Sequence, residues 1–136
     1  MSATEFNIDH RDISFVLFEQ LCIQEEFKDI DQFREFDKDL YQTLVMEAGK
    51  LAQDVYAPLN KHGDETGCTL DDEGNVTTPE GFKEAFQALA DGGWIGLTAP
   101  PEFGGTGAPA VIGVCLGELM LGANSALTMF SGLARG

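Results

Sequence analysis

The stretch that decides the fold reads GGWIGLTAPPEFGGTG and runs from Gly92 to Gly107. It places six glycines and two prolines around the single tryptophan of the chain. Glycine tolerates positive φ angles and proline fixes φ, so the stretch predicts a shaped turn rather than a flexible linker. Apolar side chains hold such a turn against a core. We predict an ordered connection between two helices, anchored by Trp94, Ile95, Leu97 and Phe103.

Segment 37–57 shows the clearest helical periodicity in the chain. Asp37 is the predicted N-cap. Pro58 is expected to end the helix, because proline cannot continue a helix interior and disfavours the α conformation of the residue before it. The predicted buried face consists of Leu40, Leu44, Ala48, Leu51 and Val55.

Segment 60–91 contains a predicted turn-rich region and a second helix. The pairs Thr69-Leu70 and Val76-Thr77 flank an acidic, glycine-containing run, which predicts a small hairpin. The following helix is expected over 79–91, with Thr78 as its cap and Pro79 in its first turn. Its predicted buried stripe consists of Phe82, Ala85, Phe86 and Leu89.

Two nearly uncharged helices are expected after the loop. The first covers 109–122, and its Gly113 and Gly117 lie one turn apart, which favours close approach of a neighbouring backbone. The second begins near Ala126, with Asn124 or Ser125 as its cap. From Ala108 to Ala134 the only Asp, Glu, Lys or Arg is Glu118, and a run of that length could cross a bilayer. The glycines and the lack of basic residues before it favour two buried helices and no membrane span.

Residues 1–36 form a predicted N-terminal extension to an α-helical domain over 37–136. Asp12 is expected to cap a helix that runs to about Ile23. A second short helix is suggested by aromatic and aliphatic residues at three-residue spacing. These residues are Phe27, Ile30, Phe33 and Phe36.

The composition excludes several classes of partner. The formal net charge of the 136-residue chain is −15, and residues 1–40 hold eleven acids against four bases. Such a charge repels nucleic acid and anionic membrane surfaces. The three cysteines lack metal-ligand or redox spacing, and no charged-then-apolar leader opens the chain. A cytoplasmic protein without a signal peptide is the expectation.

No set of residues in the chain predicts catalysis on its own. The sequence has no Ser/His/Asp or Cys/His arrangement with recognisable flanks and no phosphate-binding glycine loop after a strand. The acidic run 71–75 lacks the ligand pattern of a calcium loop, so no metal is expected. Glu118 has two interpretations: a catalytic carboxylate with a raised pKa, or a carboxylate bonded to nearby backbone or arginine. The second is favoured, and no catalytic residue is assigned.

The loop and its flanks resemble the flavin-dependent acyl-CoA dehydrogenase family. GGWIGLTAPPEFGGTGAP is similar to the family loop G-[LVI]-x-x-P-x-x-[FY]-G-G in the N-terminal helical domain. GELMLGANSALTMFSGLARG resembles the helix pair that follows it, and RDISFVLFE resembles the extra N-terminal segment of a subgroup of larger members. The resemblance covers residues 7–136. It implies a mainly all-α fold: a partial N-terminal helical domain with a short hairpin or turn-rich insert near 66–78.

This resemblance implies part of an FAD-dependent enzyme that oxidises the α,β bond of an acyl-CoA. The catalytic base and most FAD contacts of the family lie beyond residue 136, so the segment alone is expected to be inactive. Loop residues Pro100, Glu102, Phe103 and Gly104 would be structural supports. The start of the fourth helix would line the acyl end of the substrate pocket. Carried over by position, the substrate-binding residues are Leu127, Thr128, Ser131 and Arg135.

The expected partners are acyl-CoA, the remaining enzyme domains or another subunit, and further copies in a homo-oligomer. The chain ends at Gly136 inside a predicted helix, and little remains to cover the face that bears Leu127, Phe130 and Leu133. The sequence is therefore expected to be part of a larger unit. The alternative is a stand-alone α-helical interaction module, derived from such an enzyme and without catalytic activity.

Overall fold

The computed structural model describes residues 6–133. Its main elements are seven α-helical segments and one two-stranded hairpin. In chain order they are α1 (His10–Ser14), α2 (Ile23–Glu26), α3 (Lys38–Lys50), α4 (Ala57–Thr66), β1 (Thr69–Leu70), β2 (Val76–Thr77), α5 (Phe82–Asp91), α6 (Ala110–Ala123) and α7 (Ser125–Gly132).

The N-terminal helix is capped one turn earlier than predicted. Asp9, not Asp12, accepts hydrogen bonds from the backbone N–H groups of Arg11 and Asp12 at 3.0 and 3.1 Å. Helix α1 then continues as a π-helix over Phe15–Gln20. The run ends before Cys22, which takes a left-handed conformation with φ 49° that non-glycine residues rarely adopt.

The predicted second short helix at 27–36 is wrong. Only a 3₁₀ turn forms there, over Asp31–Phe33. The phenylalanines instead make a chain of ring contacts: Phe27 to Phe33 at 5.4 Å, Phe33 to Phe36 at 6.4 Å, and Phe36 stacked on Tyr41 at 5.8 Å. Aromatic pairs at such distances stabilise each other. The three-residue spacing of these phenylalanines therefore reflects contacts between their rings and not one face of a helix.

Pro58 does not end the long helix, contrary to the prediction. Helix α3, capped by Asp37 as predicted with Leu40 N–H donating at 2.8 Å, passes into a π-helix over Leu51–Tyr56 and then into α4. The change from π to α pairing puts Pro58 in the first turn of α4. A first-turn residue needs no intrahelical N–H partner, so the proline is accommodated.

The buried face of this long helix is rotated from the predicted one. Leu40 is exposed, and Leu44, Leu51 and Val55 are half-buried. Ala48 is buried as predicted, and the other buried positions lie one residue further along; of these, Val45 and Ala52 were expected beside the predicted face, whereas the two tyrosines were not expected. The buried positions are Tyr41, Val45, Ala48, Ala52 and Tyr56.

The hairpin forms where the sequence predicts it. Strands β1 and β2 pair antiparallel, with Thr69 opposite Thr77 and Leu70 opposite Val76. The Asp71 carboxylate closes the turn by accepting from both the backbone and the side chain of Asn75 at 2.8 and 2.9 Å. These bonds lower the pKa of Asp71. The first residue of the acidic run, Asp71, therefore stabilises the hairpin turn.

Helix α5 begins three residues later than predicted. Thr78 and Pro79 precede a turn at Glu80 and Gly81, and the φ of 86° at Gly81 favours glycine. Phe82, Ala85 and Leu89 are buried as predicted, whereas Phe86 is exposed. The Phe82 ring lies against Gly63 of α4, where an added Cβ would overlap the ring.

The glycine- and proline-rich loop folds back on itself through its own backbone. Donor N–H groups of Thr106, Gly107 and Ala108 bond to carbonyls of residues 96, 99 and 97 at 2.9–3.1 Å. An added Cβ at Gly105 would overlap the carbonyl of Ala99. The predicted ordered connection is confirmed, with Leu97 as its buried anchor. Trp94 is half-buried, whereas Ile95 is exposed and Phe103 is 81% exposed, so these last two do not anchor the loop as predicted.

Helix α6 is the central element of the core and packs along α3. Gly113 fits against the loop as expected, since an added Cβ would lie 2.7 Å from Thr98 Cγ2. Gly117 faces open space, so the predicted close approach does not occur there. The N-terminal segment shares this core. The buried apolar residues of α6 and of the N-terminal segment are Leu17, Phe18, Ile23, Ile112, Leu116, Leu119, Met120 and Ala123.

Within residues 6–133, no helix combines the length and apolar character needed to span a bilayer.

Two glycine substitutions distinguish the steric constraint at Gly105 in the loop from the general effect of replacing glycine by alanine in a helix. Gly105→Ala should lower the free energy of unfolding by about 2 kcal/mol or more, because its Cβ cannot avoid the Ala99 carbonyl. Gly117→Ala, the matched control on an open helix position, should raise it by roughly 0.5–1 kcal/mol. Urea unfolding followed by circular dichroism measures both. Equal stability of Gly105→Ala and the unmodified chain would contradict the constraint.

Candidate functional site

The turn between α6 and α7 is organised by one buried side chain. Asn124 is 1% exposed, and its Oδ1 accepts from Leu127 N–H at 3.0 Å, which caps α7. Its Nδ2 donates to the Tyr56 carbonyl at 3.3 Å, 68 residues earlier in the chain. The expected cap is therefore Asn124 rather than Ser125. The same side chain ties α7 to the π-helical part of the long helix.

A groove of about 200 Å³ lies along α6 and α7 on one side of this turn. Thr128 and Ser131, two of the predicted substrate-binding residues, both line it. Two glycines, Gly117 and Gly132, face the groove, and a Cβ on either one would meet nothing within 4 Å. The remaining lining is apolar: Leu89, Leu116, Met120, Leu121 and Met129.

The two hydroxyl groups in the groove are satisfied within α7. Thr128 Oγ1 donates to the Asn124 carbonyl at 2.8 Å, and Ser131 Oγ donates to the Thr128 carbonyl at 3.2 Å. Thr128 is 9% and Ser131 6% exposed. Because each hydroxyl already donates to a backbone carbonyl, this part of the groove lining can face an apolar group without leaving a donor unpaired. Small side chains and apolar lining suit a hydrocarbon chain.

Leu127 lies on a different side of α7 from this groove. It is 1% exposed and lines a second depression of about 390 Å³ with Phe82, Phe86 and Phe130 of α5 and α7. The structure thus brings Thr128 and Ser131 together and separates Leu127 from them. The fourth predicted substrate-binding residue, Arg135, lies outside the described residues.

An apolar surface remains on the outer face of α7. Phe130 is 50% and Leu133 75% exposed, and both line a depression of about 500 Å³ that extends to Cys68 and Pro79 at the base of the hairpin. The prediction of an uncovered face is confirmed for these two residues. It is wrong for Leu127, which α5 covers.

Glu118 is exposed on α6 and lies beside Cys115 in a small cavity against the N-terminal segment. Among the described residues its carboxylate makes no hydrogen bond or ion pair, so the favoured bond to backbone or arginine is absent. Burial raises the pKa of the Cys115 thiol, and the Glu118 carboxylate raises it further. The described residues contain no His, Cys, Asp or Glu cluster that could hold a metal ion.

Two curated proteins are similar to this chain, and both are acyl-CoA dehydrogenases. 3-Methylmercaptopropionyl-CoA dehydrogenase of Ruegeria pomeroyi is 34% identical over 110 residues, which cover 81% of this chain and 18% of that protein. The chain is an acyl-CoA dehydrogenase-related sequence. Broad-specificity linear acyl-CoA dehydrogenase FadE5 of Mycobacterium tuberculosis is 30% identical over 123 residues, 90% of this chain and 20% of that protein. No family model matches.

The relationship to acyl-CoA dehydrogenases agrees with the fold. The mainly α-helical structure, with its single short hairpin near the predicted insert, is consistent with an N-terminal-like domain of these enzymes. The resemblance inferred from the loop and the N-terminal segment is confirmed. The chain spans about a fifth of the length of the curated relatives it matches. The division at residue 36 stays a prediction.

Sequence reasoning missed the role of two glycines that line the groove, and one contact of Asn124 beside it. Gly132 carried no signal of its own, and Gly117 was interpreted as a packing residue because of its spacing from Gly113. Only the positions of the neighbouring helices show that Gly117 faces open space. Asn124 was recognisable as a cap, but its bond to Tyr56 joins residues too distant in sequence to be predicted.

The raised pKa of Cys115 gives a test of the α6 environment. Glu118→Gln removes the nearby carboxylate, so the pKa of the thiol should fall and its thiolate fraction at about pH 8 should rise. Iodoacetamide should therefore alkylate Cys115 faster in the variant, measured peptide by peptide with mass spectrometry. Cys68, exposed beside the hairpin, is the internal control and should react at an unchanged rate. Unaltered Cys115 alkylation would show that Glu118 does not act on the thiol.

Proposed function

We propose that this chain contributes one wall of the acyl pocket of an FAD-dependent acyl-CoA dehydrogenase, which oxidises the α,β bond of an acyl-CoA thioester. The groove between α6 and α7 is the observation that carries this proposal. Its lining is apolar, its two hydroxyls are internally bonded, and two glycines leave it open. Both curated relatives carry names of acyl-CoA dehydrogenases, which supports the same chemistry.

Thr128 and Ser131 are the proposed contacts with the acyl chain. They lie three residues apart on one helix face, and their small side chains leave room for methylene groups. Leu127 and Arg135 stay predictions, as do the homo-oligomer and the cytoplasmic location. The net charge of −15 supports binding of the polyanionic CoA moiety by other parts of the enzyme.

FAD would also be held mainly by other parts of the enzyme. The glycine-rich loop is the obvious place to look for a phosphate site, because phosphates bind free backbone N–H groups. Here the N–H groups of residues 104–107 all donate to carbonyls of the same loop. The loop therefore does not fit a pyrophosphate, and the described residues are proposed to support FAD chemistry without holding the cofactor.

A second candidate function is a stand-alone interaction module without catalytic activity. It is favoured by the apolar outer face of α7, where Phe130 and Leu133 are half or more exposed. Large exposed apolar groups beside each other mark sites of protein contact. Under this proposal the chain would dimerise or bind a partner through α7.

The acyl-wall proposal predicts a chain-length effect in the flavoenzyme that contains these residues. Gly117→Leu places a side chain in the open groove, so kcat/KM for decanoyl-CoA should fall at least about tenfold, while butyryl-CoA should be affected much less. Val114→Leu, on the exposed side of the same helix and outside the groove, is the matched control. Equal losses for both substrates would reject the groove as an acyl pocket.

The two candidate functions differ in the behaviour of the 136-residue chain alone. As part of an enzyme, it should show no stoichiometric flavin in its visible absorbance spectrum and should not oxidise acyl-CoA. As a self-sufficient module, it should sediment as a defined dimer that Phe130→Ser and Leu133→Ser dissociate, whereas Leu70→Ser on the hairpin should not. A stoichiometric bound flavin would contradict both proposals, and a stable monomer would eliminate self-association through α7.

A further inference from the structure

One buried side chain connects the groove to a helix far away in sequence. Asn124 uses both ends of its amide: Oδ1 caps α7 through Leu127 N–H, and Nδ2 donates to the Tyr56 carbonyl. Its own backbone carbonyl accepts from Thr128 N–H at 3.0 Å and from Thr128 Oγ1 at 2.8 Å. A cap alone needs only the first of these bonds.

The second end of the amide fixes where α7 lies. Tyr56 is fully buried at the end of the π-helix, and that segment packs against α6 as well as α5. A bond from Asn124 to this carbonyl therefore ties the first turn of α7 to a rigid part of the core. Thr128 and Ser131 follow in the next turns, so their distance from Gly117 across the groove depends on this attachment.

We propose that Asn124 is the positioning residue of the α6–α7 groove and sets its width through the bond to the Tyr56 carbonyl. The inference rests on the proposed function for what the groove binds, but not for how the groove is held. A buried amide whose donor and acceptor are both satisfied specifies one arrangement of the helices, because any other arrangement leaves a polar group unpaired.

Asn124→Asp separates the two roles of the side chain. The carboxylate keeps the acceptor for Leu127 N–H, and a negative charge at a helix N-terminus is favourable, so a residue that acts only as a cap should tolerate it. In its ionised form it cannot donate to the Tyr56 carbonyl. Asn124→Ser gives the same separation without a charge, since a serine hydroxyl caps well but is too short to reach Tyr56.

Methionine methyl groups report on the groove directly. Met120 and Met129 line it, whereas Met46 is exposed on α3 in another part of the surface. In a chain labelled with ¹³C-methyl methionine, Asn124→Asp and Asn124→Ser should both shift the methyl resonances of Met120 and Met129 and leave that of Met46 unchanged. Asp37→Ser, which alters the cap of α3, should move neither groove methyl.

Unshifted Met120 and Met129 resonances in either folded variant would overturn the inference, and so would equal shifts of all three methyls, which would indicate general loosening. The unmodified chain provides a measurement independent of variant folding: the side-chain amide protons of Asn124 should exchange slowly with solvent, and rapid exchange would refute the bond to Tyr56. If the methionine test contradicts the role of Asn124, the chain-length test of the acyl pocket can still succeed. If the groove binds no acyl chain, Asn124 can still set its width.

Discussion

The backbone pairing inside the glycine- and proline-rich loop is the constraint on which the rest of the structure depends. Residues 96–99 accept from residues 106–108, and Gly105 lies so close to Ala99 that no side chain fits. This folded loop determines where α6 begins after α5 ends. Because α6 is the central helix of the core, the positions of α3 and α7, which both pack against it, follow from it.

The position of the groove depends on α6 and on a second set of contacts, those between α6 and α7. Helix α7 turns back after Asn124, and the two glycines facing the groove, one on each helix, keep the space between them open. The hydroxyls of Thr128 and Ser131 donate hydrogen bonds to the backbone carbonyls of residues 124 and 128. This polar part of the groove lining can therefore face an apolar group. The proposal that this groove holds an acyl chain rests on this geometry together with the similarity to two acyl-CoA dehydrogenases.

Local signals in the sequence predicted most elements, and long-range contacts account for the errors. The loop, the hairpin, the Asp37 cap and helix α6 follow from residue types at short spacing. Pro58 was misread because the π-helix before it shifts the hydrogen-bond pairing, and Phe103 because an aromatic side chain in a glycine-rich loop was assumed to be an anchor. Thr128 and Ser131 were predicted through resemblance and both line the groove, but their contact with a substrate stays a prediction. The open space at Gly117 depends on the neighbouring helices.

The π-helix at Leu51–Tyr56 has a consequence for how this sequence can change over time. A π turn holds one more residue than the α turn it replaces, so it is equivalent to a single-codon insertion absorbed within a helix. Removing one residue there would restore ordinary α winding and leave the residues after it in register. Pro58 would then lie inside a continuous α-helix, where its ring clashes with the carbonyl four residues earlier. Single-residue deletions should therefore be selected against in this segment, although length changes are readily accepted at the hairpin tip.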